Sequence, residues 1–207
     1  MEFEQKIHST ALIHPKSKIH PTVKIGAYSV VGENVQIDKG SEIGNFVTLA
    51  GNTTIGVDNK IYHYCSLGEV PQDKKFKNEK TYLSIGDGNT IREFCTFNVG
   101  TIDGGGVTQV GNNNWIMAYV HIAHDCKLGN DIVLANNSSL AGHVEIDNFA
   151  ILGGFTLVHQ FCKIGAHIIT AVGTISLKDI PPYVRAAGDN AKPNGINIEG
   201  LKRRNFS

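Results

Sequence analysis

Large aliphatic side chains recur at every sixth residue, and Ile13, Ile19, Ile25, Val31, Ile37, Ile43, Leu49, Ile55, Ile61 and Leu67 form ten successive hits. The series resumes at Ile85, Ile91 and Phe97. It returns at Val110 and continues through Ile116, Ile122, Leu128, Leu134, Leu140, Ile146, Leu152 and Val158 to Ile164. Glycine often follows the aliphatic, as at Gly26, Gly44, Gly86 and Gly129. The fourth residue after it is small or β-branched, as at Val23, Ser29, Val35 and Ser41. This period fits neither the 3.6-residue turn of an amphipathic helix nor the two-residue alternation of a half-buried strand. It fits a unit of short strand plus bend, three of which, about eighteen residues, close one triangular coil of a hexapeptide parallel β-helix. The expected fold is therefore all-β. Inward aliphatics stack about 4.8 Å apart, and roughly eight coils make a prism on the order of 40 Å long. The glycines are expected at corners that need positive φ.

Two interruptions break the pattern. Leu67 and Ile85 lie eighteen residues apart, so the phase survives, but the six-step positions between them are Asp73 and Glu79. A core does not hold such residues, and a polar loop is expected over about 69–84. Phe97 and Val110 lie thirteen residues apart, which shifts the phase by one and predicts a second loop over about 98–109, around the run Gly104-Gly105-Gly106. Repetition fades near Ser176. The domain reading is thus a β-helix over 1–176 and a non-repetitive tail over 177–207.

Composition narrows the classes. Nineteen Lys and Arg balance nineteen Asp and Glu, so nucleic acid is not an expected partner. No apolar run reaches the ~18 residues of a membrane span. The segment MEFEQKIHST has no apolar stretch of the export type, so a cytoplasmic location is expected. Cys65, Cys95, Cys126 and Cys162 all fall four residues after a periodic residue. They read as reduced core filling.

Candidate chemistry lies among the nine histidines. His8, His14 and His20 sit near the N-terminal end and read as structural. His121, His124, His143 and His159 cluster in three successive coils after both loops. His124 follows Ile122 by two and so points outward, and one coil of eighteen residues places Gly142 directly over it. An imidazole that takes a proton from an attacking hydroxyl, beside a backbone N–H that stabilises the resulting oxyanion, is what acyl transfer needs. Asp125 is placed to orient that imidazole. Three histidines around a zinc ion, as in γ-class carbonic anhydrases, are the competing chemistry, although no regular ligand spacing emerges. A hexapeptide acetyltransferase using acetyl-CoA and a non-catalytic β-helix scaffold also stay open.

Several segments carry a specific resemblance: HIAHDCKLGN (121–130), LANNSSLAGHVEIDNFAILGG (134–154), VHQFCKIGAH (158–167), DIPPYV (179–184) and NIEGLKRRNFS (197–207). With GEVPQDKKF (68–76) and IREFCTFNVGTIDGGG (91–106), the chain resembles the UDP-N-acetylglucosamine 3-O-acyltransferases of lipid A biosynthesis over nearly all its length. The resemblance implies a left-handed β-helix, a homotrimer with sites between subunits, and transfer of an R-3-hydroxyacyl chain from acyl carrier protein to the 3-hydroxyl of UDP-GlcNAc. It implies no cofactor beyond the phosphopantetheine arm of that carrier, and no resident metal. His124 matches the family's general base, Asp125 its orienting carboxylate and Gly142 its oxyanion N–H. Asp73, Lys75, His121, His143, His159, Gln160, Asn197, Glu199, Arg203 and Arg204 match substrate contacts. Between Pro181 and Ser207 five basic residues face two acids, which suits phosphate and an acidic carrier. Val172 matches a position that is glycine in well-known members, and its bulk predicts a donor shorter than the longest the family uses. Family members continue beyond GLKRR, so the tail reads as the start of a truncated C-terminal region.

Overall fold

The computed structural model describes residues 6–206; the first residues of the N-terminal segment discussed above, and Ser207, lie outside the described residues. The period of six becomes a three-sided prism. Its first face stacks nine strands, from Leu12–Ile13 to Ile175–Ser176, and its second face eight, from Lys18–Ile19 to Lys163–Ile164. The third face stacks ten, from Lys24–Ile25 to the final strands Val184–Ala187 and Lys192–Ile196. Pairing is parallel and in register by one coil: Leu12 faces Val30, Lys18 faces Gln36 and Lys24 faces Glu42. Among the described residues only the last two strands of the third face pair antiparallel. The fold is a left-handed parallel β-helix of hexapeptide repeats.

The periodic aliphatics from Ile25 to Ile164 are all buried, and Ile13 and Ile19 pack against them at the N-terminal end. The small partners Val23, Ser29, Val35 and Ser41 are buried with them. Stacking identical shapes at the strand spacing removes apolar surface from water at every coil, at about 25 cal/mol per Å². All four cysteines are buried and free. Burial pushes the Cys126 thiol up to about 12, which suits packing and not nucleophilic work.

The glycines serve a purpose other than the one expected. Of those that follow an aliphatic, Gly68 has positive φ, whereas Gly26, Gly44, Gly86 and Gly129 do not. At these four corners the left-handed residue comes two places later and is Tyr28, Phe46, Gly88 and Asp131 in turn. What the glycine lacks is needed space: a Cβ on Gly26 would lie 2.7 Å from the carbonyl of Gly44 in the next coil, and one on Gly86 2.7 Å from the Gly111 oxygen. The coils approach too closely there for any side chain.

Register across the interruptions locates both loops. Ile55 pairs with Ile85 and Ile85 with Val110, separations of thirty and twenty-five residues where one coil takes eighteen. The loops therefore insert twelve and seven residues, and both leave the prism at the corner between the first and second faces. The first connects strand Ser66–Glu69 to Tyr82–Ile85, and the second connects Thr96–Asn98 to Val107–Val110.

The tail is structured. Strand Val184–Ala187 continues the third face beside Ile169–Thr170, and a five-residue helix, Ile198–Lys202, follows. Its end packs on the corner between the second and third faces, where the Arg204 guanidinium lies 4.8 Å from the Phe149 ring and Phe206 meets His167 edge-on at 4.9 Å. Among the described residues no helix is long and apolar enough to cross a membrane.

Candidate active site

The corner that carries both loops carries His124 and Asp125 in the next coil, Gly142 and His143 in the one after, and Gln160 and Phe161 beyond. Asp125 occupies the left-handed position with φ 60°, which a short polar side chain tolerates. Its backbone N–H donates to Thr108 Oγ1 at 2.8 Å. The carboxylate is fully buried, so it needs donors to offset its desolvation. It has three: the Thr101 N–H at 2.8 Å, the Thr101 hydroxyl at 2.7 Å and His124 Nδ1 at 2.8 Å. With Nδ1–H donating to the carboxylate, Nε2 carries the free lone pair of the imidazole.

Gly142 makes room for that ring. A Cβ there would lie 2.6 Å from His124 Cε1 and 2.8 Å from Nε2, so the eighteen-residue stacking read from the sequence is realised, and only glycine fits beneath the imidazole. The Gly142 carbonyl accepts from the Phe161 N–H at 3.1 Å, while its own N–H has no partner among the described residues. His143 stands perpendicular to His124 with centroids 5.1 Å apart and stacks on Phe161 at 4.3 Å.

Beside this corner lies a cleft of about 400 Å³ lined by Gln72, Asn98, His121, His124, Gly142 and Leu157 among others. His121 Nδ1 lies 2.8 Å from Thr96 Oγ1. Burial, and to a lesser extent the neighbouring His124, pulls its pKa below the usual histidine range, which keeps it neutral at pH 7.

The structure gathers some of the expected site residues and separates others. His121, His124, Asp125, Gly142 and His143 come together. His159 and Gln160 are exposed one coil further along the same edge, with His159 Nδ1 3.2 Å from the Gln160 carbonyl. Asp73 and Lys75 form a turn in the first loop, where Asp73 Oδ1 accepts the Lys75 N–H at 2.9 Å; their neighbour Gln72 is the loop residue that lines the cleft. Asn197, Glu199, Arg203 and Arg204 belong to the tail on the next corner. The Asn197 side chain is buried, accepting from the Gly200 N–H at 3.2 Å and donating to the His167 carbonyl at 2.9 Å. Val172 stands on the corner between the third and first faces and is 77% exposed. Sequence reasoning missed Gln72, Asn98 and Thr101, which no period marks because they lie in or beside the inserted loops.

Among the described residues, His124, Asp125 and His143 each offer one metal-ligand atom within 4.8 Å of the others. This differs from the three-histidine set considered above, and both oxygens of Asp125 already accept from protein donors.

A prism of hexapeptide coils, with a histidine–carboxylate pair opening into a cleft on one edge, defines a hexapeptide-repeat transferase. The bacterial transferase hexapeptide model matches residues 16–51 and 108–142, and the model described as Udp N-acetylglucosamine O-acyltransferase, domain 2, matches 179–207. The acyl-carrier-protein-dependent UDP-N-acetylglucosamine O-acyltransferase of Thiobacillus denitrificans is 59% identical over 97% of this chain and 78% of its own length. Its counterpart in Herminiimonas arsenicoxydans is 59% identical over 97% of this chain and 77% of its own. The solved LpxA structure from Acinetobacter baumannii superposes with a TM-score of 0.96 at 43% identity, covering 98% of this chain and 79% of that one. The chain belongs to the UDP-N-acetylglucosamine O-acyltransferase family.

Proposed function

We propose that this protein transfers an R-3-hydroxyacyl chain from acyl carrier protein to the 3-hydroxyl of UDP-N-acetylglucosamine, the opening step of lipid A biosynthesis. The observation that carries the reading is the His124–Asp125 pair, 2.8 Å apart, against Gly142, whose N–H has no partner among the described residues. His124 Nε2 takes the proton of the sugar hydroxyl as its oxygen bonds to the thioester carbonyl carbon. The carbonyl oxygen, now an oxyanion, accepts from the Gly142 N–H. Collapse breaks the carbon–sulfur bond, and the imidazolium returns the proton to the departing thiolate. Asp125 stabilises the imidazolium while it exists. No cofactor takes part, since the donor's pantetheine arm arrives on the carrier protein. The chemistry fits a cytoplasmic enzyme.

A homotrimer of side-by-side prisms accounts for the separation of the remaining residues. On one chain the cleft, the Asn197–Arg204 segment and Val172 occupy three different corners. A three-fold arrangement brings unlike corners of neighbours together, so that Asp73, Lys75, the tail residues and Val172 complete a site centred on another protomer's His124. Calorimetric binding of UDP-GlcNAc, followed by transfer from acyl carrier protein, tests the function: binding and turnover are expected, and absence of UDP-GlcNAc binding sinks the reading. Donors of graded length test Val172: the wild type should favour shorter chains and Val172→Gly longer ones, an unchanged ranking refuting its role.

A further inference from the structure

We propose that Thr101, in the second loop, is a positioning residue that sets the catalytic pair by holding Asp125. This rests on the acyl-transfer reading above. Thr101 is the one residue that engages both carboxylate oxygens among the described residues, its N–H at Oδ1 and its hydroxyl at Oδ2, the oxygen that His124 Nδ1 also uses. The hydroxyl's single proton points at Oδ2, because a carboxylate oxygen can only accept, and Thr101 Oγ1 in turn accepts the Gly104 N–H at 3.2 Å. The Thr101 carbonyl in turn accepts from Gly104 at 3.1 Å and Gly106 at 2.7 Å, so one residue ties the loop together and clamps the acid.

The loop is pressed onto the carboxylate. A Cβ on Gly104 would lie 2.0 Å from Asp125 Cγ, and one on Gly100 2.8 Å from Oδ1. The seven-residue insertion thus forms a fitted cover that fixes which oxygen faces the imidazole and keeps water from it. His124 follows, because its Nδ1–H direction depends on where Oδ2 sits.

Thr101→Val removes the hydroxyl and keeps the shape, and Thr101→Ser restores the donor. With acyl carrier protein and UDP-GlcNAc as substrates, Thr101→Val should lower kcat on the order of tenfold while KM for either substrate stays within about twofold, and Thr101→Ser should stay within about twofold of the wild type. In an Asp125→Asn background the same Thr101→Val change should cost less than about twofold, since its route to the imidazole is already cut. Equal losses in both backgrounds, or an unchanged kcat in Thr101→Val, would overturn the proposal. An activity-independent readout uses 15N-histidine-labelled protein: the His124 Nδ1–H resonance is expected in the wild type and Thr101→Ser and lost to exchange in Thr101→Val. Its persistence in Thr101→Val overturns the positioning role even if the wild type proves not to be an acyltransferase. If Thr101→Val does not fold, Thr101→Ala carries the same measurements with the same deciding outcomes.

Discussion

Two edges of the prism use one backbone conformation for opposite ends. Where the third face turns into the first, the left-handed position holds Tyr28, Phe46, Tyr64, Phe94 and Tyr119 in successive coils. Their rings stack at 5.1, 5.1, 5.0 and 4.8 Å. Where the first face turns into the second, the same position holds Asp125, His143 and Phe161. The uninterrupted edge repeats and so can only stack like on like. The other is broken by two insertions in successive coils, and the second lays Thr101 and Gly104 over Asp125. A buried, three-donor carboxylate is thus available on the irregular edge and nowhere on the ladder. Regularity supplies the scaffold, and the places where register is lost supply the chemistry.

The largest effect is expected from His124→Ala. Removing the base from the irregular edge should reduce transfer by about 10²–10⁴-fold while leaving the unfolding temperature near the wild type, measured by turnover and scanning calorimetry. Gly142→Ala comes next: the new methyl occupies the place of the imidazole, and its displacement should cost on the order of 10²-fold in kcat. A Gly142→Ala enzyme of normal activity would mean that the ring does not rest where catalysis needs it.

Tyr64→Ala on the ladder should do the reverse. It loses two stacked partners, each worth about 0.5–1.5 kcal/mol, so the unfolding temperature should fall by a few degrees while turnover changes little. A large loss of activity would erase the distinction between the two edges.

The smallest effect concerns the corner under the tail, where His167 stacks between Phe149 and Tyr183 and its Nδ1 is buried without a partner among the described residues. Burial first, and then the charge of Arg204, lowers its pKa from 6.5. The unfolded chain therefore takes up this proton at a higher pH than the folded chain. Stability from His167 is full above about pH 6.5 and declines as the pH falls through that value; His121 contributes with the same sign. Thermal unfolding of His167→Phe should show a shallower loss between about pH 7.5 and 5.5 than the wild type, and an identical slope would remove His167 from the account.

The pairing of His124 with Gly142 was legible in the sequence because it needs only the coil length. The hold of Thr101 on Asp125 was not, since an insertion has no period and its path depends on what it packs against. Phase arithmetic likewise gave eighteen residues between Leu67 and Ile85 but could not tell a lost coil from a twelve-residue excursion; the pairing of Ile55 with Ile85 resolves it.

From the sequence alone came the β-helix, its inward residues, its buried cysteines and the stacking of two site residues. All of these follow from a repeat whose every unit must bury the same face. Tertiary structure alone decided that both loops leave by one corner and that Gly26 and its equivalents serve close coil approach instead of a left-handed turn. It also decided that the tail's Asn197 and Arg204 sit one corner away from His124. Those outcomes depend on contacts between segments that share no period, and distance along the chain says nothing about them.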